Sequence, residues 1–101
     1  MANTFKNHTG TASTTGATIY TVPGSTTAVI IGLTLANKSA SSETVSVQLG
    51  STYIVKDAPL PVGSTLSPLD GKIIGEAADT IVATAAANSA VDVIVSVLEQ
   101  T

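Results

Sequence analysis

Residues 28–37 (AVIIGLTLAN) carry the strongest two-residue alternation in the chain: Val29, Ile31, Leu33 and Leu35 fall on one side, Ile30, Gly32, Thr34 and Ala36 on the other. Successive side chains of an extended chain point to opposite faces, so this stretch predicts a strand with one wholly apolar face. Such a face needs a partner sheet. Further strands are predicted at residues 18–22 (TIYTV), 43–49 (ETVSVQL), 52–56 (TYIVK), 72–75 (KIIG), 80–85 (TIVATA) and 90–99 (AVDVIVSVLE).

Turn chemistry separates these runs. Pro23-Gly24-Ser25 suits a type II turn, with Pro fixing φ and Gly accepting a positive φ; residues 37–42 (NKSASS) and 86–89 (AANS) are polar turn clusters; Asp70-Gly71 and residues 76–79 (EAAD) are shorter turns. Gly50-Ser51 predicts a tight hairpin between its flanking strands. Residues 57–69 hold three of the four prolines, and Pro59 and Pro61 deny donors to a central strand, so this segment is an edge strand or an extended crossover. No amphipathic helix is found, and the alanine-rich run 83–90 is interrupted by Asn88-Ser89 without an apolar stripe. Turn signals every 8 to 12 residues or so predict an all-β chain: an antiparallel β-sandwich, jelly-roll or immunoglobulin-like, of about seven or eight strands.

The last strand is irregular in a useful way. Val91, Val93, Val95 and Val97 take one face, expected to be core; Asp92, Ile94, Ser96 and Leu98 take the other. Ile94 and Leu98 among polar neighbours, together with Ile30 on residues 28–37, predict an exposed apolar patch that contacts another chain. A crossover segment packed over that face within the same domain is the rival explanation. Residues 1–16 (MANTFKNHTGTASTTG) are polar apart from Phe5 and cannot bury enough surface alone to offset their ordering entropy. They read as a flexible N-terminal arm before a single sandwich domain at 17–101. Phe5 and Lys6 would order it on a neighbouring subunit, the alternative being a frayed end.

Composition narrows the picture. At 101 residues the chain is one domain, and with 44% apolar but only 3% aromatic residues its core must be built from Val, Ile, Leu and Ala. Charged residues are 11%, about half the usual share. Either part of the surface is covered in the working state or the surface is polar and uncharged. A net charge of −3, four lysines and no arginine argue against nucleic acid. No run approaches the roughly 20 apolar residues of a membrane span. The polar opening lacks a secretory signal, so the chain is expected in the cytoplasm of the cell that makes it, or released by lysis.

Candidate chemistry is sparse. His8 is the only histidine, no cysteine or arginine is present to work with it, and no serine sits in a G-x-S-x-G elbow. Asp57, Asp70, Glu76 and Asp79 fall in predicted loops, but their spacing is too loose for a calcium loop; Asp70 and Asp79 read as turn caps. Tyr20 and Tyr53 read as partly buried strand residues with wet hydroxyls. Thus no enzyme, no metal and no cofactor is expected. The sequons Asn7-His8-Thr9 and Asn37-Lys38-Ser39 are idle without secretion.

Four segments carry a resemblance: the opening MANTFKN; residues 18–37 (TIYTVPGSTTAVIIGLTLAN); residues 53–66 (YIVKDAPLPVGSTL); and residues 69–99 (LDGKIIGEAADTIVATAAANSAVDVIVSVLE). Across nearly the whole chain, this order resembles a family of small phage virion structural proteins, common among phages of cyanobacteria and other aquatic bacteria. One departure is visible: an EAGD turn is expected where the chain reads Glu76-Ala77-Ala78-Asp79. The resemblance implies a virion protein made in the host cytoplasm. Its first role would be a capsid decoration or cement protein, and its second a neck, tail or fibre-attachment protein. It implies a homo-oligomer touching other virion proteins, the major capsid protein or neck and tail proteins. A carbohydrate-binding β-sandwich module is the alternative of another class, disfavoured by two tyrosines and no tryptophan.

Overall fold

The computed structural model describes residues 2–69 and 71–101. Among them are nine strands: β1 (Asn3–Thr11), β2 (Ala17–Thr21), β3 (Thr27–Asn37), β4 (Glu43–Leu49), β5 (Thr52–Leu60), β6 (Thr65–Leu66), β7 (Ile73–Gly75), β8 (Thr80–Ala85) and β9 (Val91–Gln100). One sheet, sheet A, runs β1-β9-β3-β6 with β7 also on β3; the other, sheet B, runs β2-β8-β4-β5. All the strand pairings are antiparallel.

The pairing is nested. The hairpin β4-β5 is innermost, β3 pairs with β6 and β7, β2 with β8, and β1 with β9. A long nested hairpin folded over into two four-position sheets is the connectivity of a jelly roll, with the sixth position in chain order shared by β6 and β7. Proline placement agrees with it: Pro59 lies on β5, an edge strand of sheet B.

The core lies between the sheets and contains small apolar side chains. Val91, Val93, Val95 and Val97 of β9 are fully buried, and Val45, Val47, Ile81, Ala83 and Leu60 line the same cluster from sheet B. Facing sheets of a sandwich pack about 10 Å apart, a gap that β-branched residues fill well; Tyr20 adds an aromatic ring to the core.

Two sequence expectations change here. Residues 3–11, expected as a free arm, form β1 and pair with β9 along their whole length, from Asn3 opposite Gln100 to Thr11 opposite Asp92. Main-chain hydrogen bonds to a neighbouring strand order this segment without any large buried side chain, a contribution that a composition argument omits. The second change is in β3. A bulge between Ile30 and Gly32 places an extra residue against β9, and the alternation changes phase there. Ala28 and Ile30 point into the core before it, Leu33, Leu35 and Asn37 after it. Ile30, expected on the contact surface, is therefore wholly buried; Ile31, expected inside, is 41% exposed, and Val29 is half-buried.

The turns refine the rest. Gly50 has a positive φ of 62° between paired Leu49 and Thr52, as in a type II′ hairpin. In the Pro23-Gly24-Ser25 turn the left-handed residue is Ser25, not Gly24. The 76–79 turn is closed by the Asp79 N–H donating to the Glu76 carbonyl at 2.9 Å, and Ala78 at its third position has φ 74°. That is the glycine position of a type II turn. The Asp79 carboxylate accepts from the Glu76 N–H at 2.9 Å, capping the turn as expected. The expected cap at Asp70 lies outside the described residues.

Two outcomes follow. Ala78→Gly relieves a left-handed alanine at an exposed turn and is expected to raise stability by about 0.5–1 kcal/mol in urea unfolding. Ile30→Asp, Val93→Asp or Val95→Asp is expected to abolish folding by circular dichroism, costing about 4 kcal/mol or more, whereas Ile94→Asp leaves the fold intact.

Candidate assembly surface

The outer face of sheet A is set by the same registers that set its core. Phe5 lies opposite Leu98, Leu98 opposite Val29, and Val29 opposite Ile74, so one apolar row crosses β1, β9, β3 and β7. Cross-strand neighbours on one face are close enough for their side chains to touch. Phe5 is 73% exposed and Ile74 54%, with Leu98 and Val29 half-buried between them. The bulge adds Ile31 beside the row. A shallow depression of about 270 Å³ is lined by Phe5, Lys6, Asn7, Ile31, Ser96 and Val97.

The sequence-predicted residues are thus partly gathered. Phe5 and Leu98 are direct neighbours, and Ile94 shares their face further along β9, opposite Thr9 and Thr34. Ile30 is in the core instead. Ile31, Val29 and Ile74 were missed. The signal for the first two was Gly32, since an isolated glycine inside a strand pattern marks a bulge.

Away from the apolar row the face is polar. Ser96 Oγ donates to Asn7 Oδ1 at 2.8 Å, Thr11 Oγ1 to Asp92 Oδ1 at 3.2 Å, and Lys38 Nζ pairs with Asp92 at 2.8 Å. The Lys38 hydrogen bond is the main reason the Asp92 carboxyl lies below its usual range.

On the inner face, β1 is fastened by a polar cluster. Glu99 ends the valine ladder of β9 and is buried; one carboxylate oxygen accepts from the Tyr20 hydroxyl at 2.7 Å and the other faces Lys6 Nζ at 3.1 Å. His8 stacks on the Tyr20 ring with centroids 4.4 Å apart. Tyr20 is therefore buried and internally bonded, against the expectation of a wet hydroxyl, while Tyr53 is exposed. Burial, reinforced by the Glu99 hydrogen bond and charge, pushes the Tyr20 hydroxyl well up. The Tyr20 hydrogen bond, helped by Lys6 and opposed by burial, holds Glu99 below the usual carboxylate range. Both Glu99 oxygens are occupied, so the chemistry of this cluster is adhesion of β1 to the sandwich.

The loop carboxylates do not converge. Asp57 sits in a β5 irregularity with its N–H donating to Ser46 Oγ at 2.9 Å, and among the described residues no three His, Asp or Glu side chains are grouped to hold a metal ion. Asn37, in the second sequon, is buried: its amide donates to the Ser41 and Leu60 carbonyls and accepts from Ser39, so it organises a turn.

The sign of the Glu99 effect gives a test. Its folded pKa is below the unfolded value of about 4.3, so the stabilisation is complete above that pH and is lost as pH falls through the lower folded value. Glu99→Gln is expected to flatten the acid limb of a stability-against-pH curve measured by urea unfolding. An unchanged limb would contradict this placement.

No family model matches this chain, and no curated protein matches it. Among solved structures it is similar to a chain from Bacillus endospore appendages, which form a novel family of disulfide-linked pili, with a TM-score of 0.60 and 17% identity over 99% of this chain and 87% of that one. Likeness at that identity establishes a shared fold.

Proposed function

We propose that this chain is a non-enzymatic structural protein of a phage virion, a capsid decoration or cement subunit present in many copies and seated between its neighbours. The observation that carries this reading is the charge-free row Phe5, Leu98, Val29 and Ile74 across the outer face of sheet A, exposed at both ends. Interface centres are depleted in charge, and a row of this kind is covered in a working assembly. The jelly roll is a recurrent architecture of viral capsids; as fold-level analogy it supports a shell component without assigning one. The virion itself comes from the resemblance of the sequence to small phage structural proteins.

Neck or tail attachment is the second reading, favoured by the likeness to a chain from appendages that form pili. The disulfide linkage of those pili has no counterpart here, since this chain has no cysteine. Its contacts in any assembly would be made without disulfides of its own.

Mass spectrometry of purified particles is expected to find the chain in many copies, and its absence from them would overturn the proposal. Ile74→Asp and Leu98→Asp are expected to yield folded protein whose incorporation falls by about tenfold or more. Normal incorporation of both would remove the apolar row from the interface.

A further inference from the structure

The edges of the two sheets are not alike. On sheet B, β5 carries Pro59, Lys56 and a left-handed Asp57 at φ 49°, and β2 is five residues long with an irregularity between Thr18 and Tyr20. On the far side of sheet A, β6 and β7 are two and three residues long. Short strands, prolines, charges and bulges are the devices that keep edges from pairing. β1 has nine residues, no proline, no bulge and one charged side chain, Lys6, which is held by Glu99.

The direction of its backbone groups follows from the ladder. The Ala12 N–H donates to the Val91 carbonyl, and the Ala2 carbonyl accepts from the Thr101 N–H. Both pairs continue the unbroken register of β1 on β9. Hydrogen-bonded pairs alternate along an antiparallel ladder, so even-numbered residues direct their N–H and C=O groups at β9. Asn3, Phe5, Asn7, Thr9 and Thr11 direct theirs outward, and no backbone hydrogen bond among the described residues reaches them from that side.

We propose that a second copy of this chain adds to this edge, β1 against β1, antiparallel across a two-fold axis at Asn7. That register uses every outward group: Asn7 pairs with Asn7, Phe5 with Thr9 and Asn3 with Thr11. It is self-complementary, as a two-fold interface must be. It sets Lys6 opposite His8 and no lysine opposite another. Sheet A becomes continuous through both copies, and the exposed Phe5 gains cover from the second β1. The inference rests on reading the chain as an assembly subunit, and it names the partner.

The test is sedimentation of the full chain together with amide hydrogen exchange. A dimer is expected in which the Asn3, Phe5, Asn7, Thr9 and Thr11 amides exchange at least about tenfold more slowly than in the dissociated protein. Thr9→Pro removes only an outward N–H and is expected to give a folded monomer. Directly opposed residues of a hydrogen-bonded pair lie about 5.5 Å apart, within disulfide reach. Asn7→Cys is therefore expected to oxidise to a covalent dimer, while Tyr53→Cys on β5 is not. A monomer with fast outward amides, a dimer undisturbed by Thr9→Pro, or protection gained only when another virion protein is added would overturn the inference. Absence from particles with the dimer intact would instead count against the virion role alone.

Discussion

The valine ladder of β9 is the interaction on which the rest depends. β9 sits inside sheet A between β1 and β3, and its four buried valines present a continuous β-branched surface to sheet B. Apart from Tyr20 the core is built from small aliphatic side chains, so stability comes from many small, regular contacts held in register. That register also decides what faces outward. Each residue of β9 that is not in the core lies on the outer face, so Leu98 and Ile94 are exposed or half-buried as a direct consequence of burying the valines.

The bulge in β3 shows the same coupling. One additional residue between Ile30 and Gly32 turns Ile30 inward and Ile31 outward, and it leaves Leu33 and Leu35 in the core. Val29 is thereby placed beside Leu98 and Ile74 to complete the row. The surface is thus a by-product of how the core is phased, and its lack of charge is the feature that the core does not require.

Much of the fold was legible because turn residues and two-residue alternation are local signals. β4 and β8 occupy the stretches their patterns predict, and the Gly50-Ser51 hairpin closes as expected. What was not legible depends on partners distant in sequence. β1 has almost no apolar pattern of its own and is a strand because β9 offers it a ladder and because Glu99, Tyr20 and Lys6 fasten it. The phase of β3 was ambiguous because Val29, Ile30 and Ile31 are all apolar, so alternation alone allowed either face; only Gly32 hinted at the bulge. Of the predicted contact residues, Phe5, Ile94 and Leu98 lie on the outer face of β1 and β9, where no bulge intervenes; Lys6 turns to the inner face and pairs with Glu99, and Ile30 is in the core because of the bulge.

In this account sheet A holds the fold with one face and meets neighbours with the other. A particle reconstruction at side-chain resolution tests that division most directly. It is expected to have Phe5, Leu98, Val29 and Ile74 covered by a neighbouring subunit while the valine ladder stays within its own sandwich. A reconstruction in which that outer face is open to solvent and the contacts run through sheet B would contradict it.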